Sequence, residues 1–284
     1  MTDAANANSN RPYAEWIGRE RTRTDVLARG DVARMAALFD RDATPSTLPP
    51  AWHWAVLTEA DRQSRIGPDG HPARGGFMPP IPAPLRMFAS ADMRFHGELQ
   101  VGAETELHER VVSVVEKTGK TGTLTFVELQ RRFSQSGEVR VQETQNIVYR
   151  DRTPGPAAAP PVTPSLHTAR WRRTITPDPV LLFRFSAATF NSHRIHYDRP
   201  YALDVEGYPA LVVHGPLIAL ALLEALYAEK PGARVAAFRF RAVRPLFDNA
   251  PFSVCGAMDG ATANLWAEAP DGGVAMTAEA ELAS

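Results

Sequence analysis

The sequence has a single cysteine, Cys255, which excludes an internal disulfide framework and any zinc site built on several cysteines. It has no charge excess. The 31 basic and 32 acidic residues leave a formal net charge of −1, too little for nucleic-acid binding by bulk attraction. It also lacks an uninterrupted apolar run. The longest candidate, "LVVHGPLIALALLEALYA", is broken by His214, Gly215, Pro216 and Glu224 and makes a poor membrane span. The opening "MTDAANANSNRPYAEW" is polar and shows no signal peptide, so the expected setting is cytoplasmic, away from membranes. Three catalytic signatures are missing as well. "GPDGHPARGG" has glycines without GxGxxG spacing or a helical pattern behind it, and reads as a long functional loop. Neither HExxH nor G-x-S-x-G occurs.

What is present divides in two. "RTPGPAAAPPVTP" places five prolines among thirteen residues, which cannot sustain a helix or a central strand. A linker over 153–164 then separates a first domain, 1–152, from a second, 165–284. Both halves are rich in short consecutive strand patterns. "AETELHERVVSVVE", "TGTLTFVELQRRF" and "EVRVQETQNIVYR" precede the linker; "ARVAAFRFRAV", "APFSVCGAM", "ATANLWAEA" and "GVAMTAEAEL" follow it, with turn signals such as "QSGE" and "PDGG" between. "MRFHGELQVG" and "FRFRAVRPLF" look like equivalent strand starts, a hint of duplication.

One helix stands out. "PLIALALLEALYAE", 216–229, is apolar on nearly every face and belongs in a core, wrapped by other elements. Pro216 suits its first turn, and Lys230, Pro231 and Gly232 mark its end. About twenty residues earlier lies "TFNSHRIHYDRP", which crowds two histidines, two arginines, an asparagine and an aspartate together. A histidine-rich turn beside a helix N-terminus would supply a proton-transfer group and an oxyanion binder, the parts needed when a thioester carbonyl takes on enolate charge.

These residues resemble the MaoC-like hot-dog hydratases and dehydratases of acyl thioesters. Members carry a motif of the form D-x-N-P-[LIV]-H, then an H-G element opening the hot-dog helix; here "NSHRIHYD" and "VVHGPL" stand in those places. The resemblance implies that His196 is the catalytic histidine and that the Gly215 backbone N–H binds the thioester oxygen. There is one departure. The family's aspartate falls on Asn191 and its asparagine on His193. That version, with "PPAWHWAVL" and "GHPARGGFMPPIPAPLRMF" in the first half, is similar to the sub-branch of mesaconyl-C4-CoA hydratases and mitochondrial 3-hydroxyacyl-thioester dehydratases.

The resemblance implies an α+β double hot-dog, its first unit degenerate, with the loop "HPARGGFMPPIPAPLR" where a second helix would stand. It implies reversible addition of water to an enoyl-CoA, with mesaconyl-C4-CoA giving citramalyl-CoA as the favoured case. A dehydratase of acyl-carrier-protein thioesters and a non-catalytic acyl-thioester binder are the alternatives. No metal or cofactor is called for, because the thioester is itself the electron sink, and the fold is compatible with a homodimer. Asn191 would orient the water, and His196, with His193 in reserve, would move the proton. The pH profile should then have an ascending limb in the ordinary histidine range. Arg241, Arg244, His214 and Tyr197 are the substrate-binding candidates, the two arginines for a free carboxylate with Arg86 as the outsider; His214 would cap the helix or wall the pocket. Arg194 and Asp198 should hold the turn as an ion pair. Trp52, His53 and Trp54 should be core aromatics, and Cys255 a buried small hydrophobe.

Overall fold

The computed structural model describes residues 12–119, 122–151 and 162–283. The linker expected over 153–164, except its last three residues, lies outside these, as does most of the polar N-terminal segment. The first half runs β1 (Glu20–Val26), α1 (Arg29–Leu38), β2 (Leu85–Phe95), β3 (Glu104–Gly119), β4 (Gly122–Gln135) and β5 (Glu138–Arg150). The second runs β6 (Trp171–Ile175), α2 (Pro179–Thr189), α3 (Gly215–Glu229), β7 (Val235–Ala242), β8 (Phe252–Asp259), β9 (Thr262–Glu268) and β10 (Val274–Leu282).

The strands form one sheet in the order β1-β3-β4-β5-β2-β7-β10-β9-β8-β6. Read outward from its middle, the two halves repeat the same order. They meet where β2 pairs antiparallel with β7, from Ser90↔Arg241 to Arg94↔Ala237. The two segments singled out as equivalent strand starts lie at this seam, with Met93 opposite Phe238. This is the expected α+β double hot-dog. The long strands arise from plain alternation: in β3, Thr105, Leu107, Glu109 and Val111 point inward. The β4–β5 turn is set by Ser136 and Gly137, at φ 52° and 79°, the two left-handed positions of a type I′ hairpin.

Helix α3 occupies the concave face of the second half. Nine of its side chains are buried, and they pack against β6 and β8–β10. Its one acidic residue before the final position, Glu224, is clasped by Arg41 of the first half at 2.7 Å, and that guanidinium lies over the Trp52 ring. Cys255 is fully buried in β8, as a small hydrophobe should be.

The first half has no such helix. Between α1 and β2 the described structure is loop with two single turns, at Trp52–Ala55 and Gln63–Arg65. Ile81 and Phe77 of the proline-rich loop pack instead on Val111, Val127 and Ile147 of β3–β5. Beside the buried apolar residues Leu99, Leu107, Phe133 and Val141, this interior holds a polar network. Glu143, with no exposure, accepts hydrogen bonds from Trp54 Nε1 (2.7 Å), Gln145 Nε2 (2.9 Å) and Arg131 (3.1 Å), and meets His53 Nε2 at 3.1 Å. Arg131 continues to Glu109, which Arg21 and Arg23 also hold. Burial alone would raise the Glu143 carboxyl, but His53 and Arg131 outweigh it and hold the group at about 2. Trp52, His53 and Trp54 are thus core residues, His53 and Trp54 as partners of a buried charge. Glu143→Ala should destabilise the protein by about 3–5 kcal/mol, because the buried Arg131 loses one of its two carboxylate partners and Trp54 and Gln145 lose their acceptor. Denaturant unfolding measures this, and Glu143→Gln, which keeps an acceptor for Trp54, should cost less.

Candidate active site

Helix α2 starts at Asp178, whose side chain accepts the N–H of Leu181 at 2.8 Å, and stops when Phe190 turns left-handed at φ 51°. The chain then folds over Asn191, whose Oδ1 accepts the His193 N–H at 3.1 Å, into a single 3-10 turn, Arg194–His196. Arg194 and Asp198 hold this turn at 2.7 Å, the expected ion pair.

His196 is buried, and its Nδ1 lies 2.7 Å from the Val212 carbonyl oxygen. A carbonyl can only accept, so Nδ1 carries the hydrogen and Nε2 keeps its lone pair. His214 lies flat against the other face of the ring, centroids 3.6 Å apart and planes 18° apart, and shares a 2.8 Å hydrogen bond with Ser186 Oγ. His196 is therefore fixed in tautomer and orientation. Gly215 opens α3 directly afterwards, in the first turn, where backbone N–H groups have no intrahelical acceptor.

Asn191, His193, His196 and Gly215 all line one cavity of about 450 Å³, so the structure brings together the two short elements of the motif. Arg244 lies in its wall, paired with Asp271. Three candidates lie outside it. Arg241 alternates with the buried Phe238 and Phe240 and faces a separate groove on the other side of the sheet. Tyr197 points outward and its hydroxyl donates to the Ser192 carbonyl at 3.0 Å. His214 occupies the cap position of α3 without a side-chain cap bond, and it backs His196 instead of touching the cavity. Both roles expected for it, cap and wall, give way to support of the ring.

The first half supplies the opposite wall, with His71, Arg86 and Arg150 among its residues. His71, with Asp69 beside it, was not anticipated. The only signal was the loop "GPDGHPARGG", which the structure straps to the histidine turn: Arg194 N–H donates to the Asp69 carbonyl (2.9 Å), and a Cβ on Gly70 would sit 1.8 Å from the Ser192 oxygen. Asp69, His71 and His193 each bring an oxygen or nitrogen within 4.8 Å of the others, the one group of described residues whose spacing would admit a divalent cation. The same spacing suits a hydrogen-bonded cluster around one water.

The profile of the family "Hydroxyacyl-thioester dehydratase type 2" matches residues 51–248. The chain belongs to this family. It is 44% identical to the mesaconyl-C(4)-CoA hydratase of Chloroflexus aurantiacus over 96% of its own length and 99% of that protein. It is 27% identical to the mitochondrial hydroxyacyl-thioester dehydratase type 2 of Schizosaccharomyces pombe, over 79% and 82% of the two chains. Among solved structures, HtdX of Mycobacterium tuberculosis superposes on 93% of this chain and 100% of its own, with a TM-score of 0.65 at 19% identity. A second protein of that organism, described as a double hot-dog fold, covers 94% and 96% with a TM-score of 0.55 at 11% identity. No described helix is long and apolar enough to cross a membrane.

In this dehydratase the imidazoles that line the cavity are pushed toward their neutral forms. Burial pushes the His196 imidazole down to about 4, and burial with repulsion from His71 and His196 takes His193 to about 2. The base form of His196 therefore persists through neutrality and is lost only as pH falls through about 4. A kcat/KM profile should stay flat across pH 6–8 and break near 4, not in the ordinary histidine range first expected. Unfolding runs ahead of this break: a buried His whose pKa is depressed stabilises the fold above about 6.5, and that stability is lost on the way down to 4 as the unfolded chain binds protons. Circular dichroism at each pH separates the two effects. His196→Ala should lower kcat by on the order of 10²–10⁴.

Proposed function

We propose that this hydro-lyase adds water to the double bond of a C5 dicarboxylyl-CoA, mesaconyl-C4-CoA giving citramalyl-CoA, in the cytoplasm, where CoA thioesters are made and used. The observation that carries the reading is Arg86. It lines the cavity beside the imidazoles, and among the described residues no carboxylate lies within ion-pair distance of it. Its charge is felt at both His71 and His193. An unpaired guanidinium in a partly enclosed cavity calls for an anionic group of the substrate. In mesaconyl-C4-CoA the free carboxylate is attached to the β-carbon, the atom that water attacks, so its receptor must lie close to the base. Arg241 cannot serve, being outside the cavity, and Arg244 is already paired. The 44% identity to a mesaconyl-C(4)-CoA hydratase over nearly the whole chain supports the same substrate class.

The geometry serves the reaction in parts. The Gly215 N–H and the positive end of α3 face the cavity and suit the thioester oxygen as it gains enolate charge. His196 Nε2, its lone pair fixed by the Nδ1–Val212 bond, accepts a proton from water as the oxygen joins the β-carbon, and then returns it to the α-carbon. The amide of Asn191, whose Oδ1 is held by the turn, has its N–H groups left to touch substrate or water.

Loss of enoyl-thioester absorbance with a panel of enoyl-CoAs tests the reading. Mesaconyl-C4-CoA should be hydrated well ahead of crotonyl-CoA. Arg86→Met should cost the dicarboxylyl substrate on the order of 10²-fold in kcat/KM while changing crotonyl-CoA by less than about threefold. Equal losses on both would make Arg86 a plain wall. Preference for a thioester on acyl carrier protein would favour the fatty-acid-synthesis alternative.

A further inference from the structure

The chemistry above leaves one cluster unused. His71 and Asp69 come from the first half, yet they stand against the catalytic turn of the second. The His71 ring centroid is 4.2 Å from that of His193, which is 5.5 Å from that of His196. Asp69 Oδ1 accepts the His71 backbone N–H at 3.0 Å, and Asp69 Oδ2 lies 3.5 Å from His71 Nδ1. That carboxylate is held ionised, its pKa depressed by His71, although burial alone would raise it. His71 Nδ1 makes no hydrogen bond in this structure, but an ionised oxygen 3.5 Å away favours the tautomer with hydrogen on Nδ1 and a lone pair on Nε2. The loop has little freedom to place these groups otherwise. Besides the Arg194–Asp69 bond, Ser192 Oγ donates to the Gly70 carbonyl at 2.5 Å and Arg194 reaches the Pro68 carbonyl at 3.0 Å. Three bonds thus tie the Pro68–Gly70 backbone to Ser192–Arg194, and His71 follows at the cavity edge.

Position 191 is an asparagine, which cannot accept a proton, and its Oδ1 is engaged by the His193 N–H. Of the two second-half imidazoles in the cavity, His193 is held further down than His196 and lies against His71, which leaves His196 as the stronger proton acceptor for the attacking water. We propose that His71, aligned by Asp69, is a further catalytic residue, which grips the second hydrogen of the attacking water. The inference rests on the hydratase reading. One O–H bond of the water breaks, and that proton goes to His196 Nε2. The oxygen joins the β-carbon, and the π electrons move onto the thioester oxygen at Gly215. The α-carbon then takes the proton back from His196. The other hydrogen stays on the oxygen and becomes that of the product hydroxyl; it is this O–H that His71 Nε2 holds. Neither imidazole is changed over the cycle, and no other reactant is required. The first half is on this account a contributor to catalysis, and Asp69 a positioning residue.

The test compares His71→Gln, His71→Asn and Asp69→Asn with wild type on whichever enoyl-CoA the wild type hydrates. A water held by one acceptor in place of two should lower kcat by about 10²-fold in the His71 variants and about tenfold in Asp69→Asn. KM should stay within about threefold and the melting temperature should hold. Asn191→Asp, which places a carboxylate on the same cavity, should return at least about tenfold of the lost kcat when added to His71→Gln. The proposal is overturned if His71→Gln keeps more than half of the wild-type kcat, or if KM rises with kcat intact. It is also overturned if turnover per folded molecule is normal and only the melting temperature falls, or if Asn191→Asp recovers nothing. Loss of wild-type turnover on dialysis against a chelator, restored by Zn²⁺, would replace it with a metal site. A wild type inert toward the whole panel would sink the hydratase reading and this inference together; an active wild type with an active His71→Gln sinks this one alone.

Discussion

Five residue pairs between β2 and β7 hold the two halves in one sheet, and the site exists because of them. The seam places the start of α3, from one half, against a strand of the other: a Cβ on Gly215 would meet the Phe88 carbonyl at 3.8 Å. The register of β2 against β5 shifts between Phe88 and Ser90, next to the first seam pair. A bulge there bends the strand and re-aims the side chains before it, and Arg86, Met87, Phe88 and Ala89 all line the cavity. The proposed oxyanion donor, Gly215, and the proposed carboxylate receptor, Arg86, therefore come from different halves yet are set by one piece of backbone. Neither half alone would hold the complete arrangement.

The second constraint is the absent helix. The second half fills its concave face with α3, apolar on nearly all sides; the first half has apolar residues such as Trp52, Leu107 and Phe133 together with the charged Glu143, Arg131 and Glu109. A buried ion network is a costly filling unless every member is paired, and here Glu143 meets four partners. What it gives in return is room. Trp54, Arg131 and Gln145, members of the network, also line the cavity, so the groups that hold the first half together shape the pocket.

Much of this was legible before the fold was seen, and the parts that were not share a cause. The long strands, α3, and the pairing of His196 with Gly215 were readable because each signal is local: an alternation, an apolar stretch, two short motifs at fixed spacing. Strands β1 and β6 sit at the two edges of the sheet and have no buried residue, so they carry no alternation to read. Helix α2 was announced by Asp178 and Pro179, a start signal that went unread. Arg241 could have been excluded from sequence: in "FRFRA" the phenylalanines must face the core, which turns the arginines to the other side. His71 was out of reach. No periodicity marks its loop, and the histidine it approaches lies in the other half of the chain.

The burial that hides these imidazoles also bears on how they act. A histidine held at about 4 is a weak base, yet the proposed reaction asks it to accept a proton from water. In that reaction proton transfer to His196 would coincide with enolate formation at Gly215, and in a low-dielectric space each charge stabilises the other far more than it would in water. The substrate contributes as well. The Arg86 guanidinium depresses both His71 and His193, so a carboxylate seated on Arg86 would cancel that field and raise the proton affinity of both rings. Burial, the larger cause at both rings, would remain, and His196 is not among the groups that Arg86 depresses. A dicarboxylyl thioester would then gain chiefly in binding, with a smaller gain in the chemical step through the two rings beside Arg86.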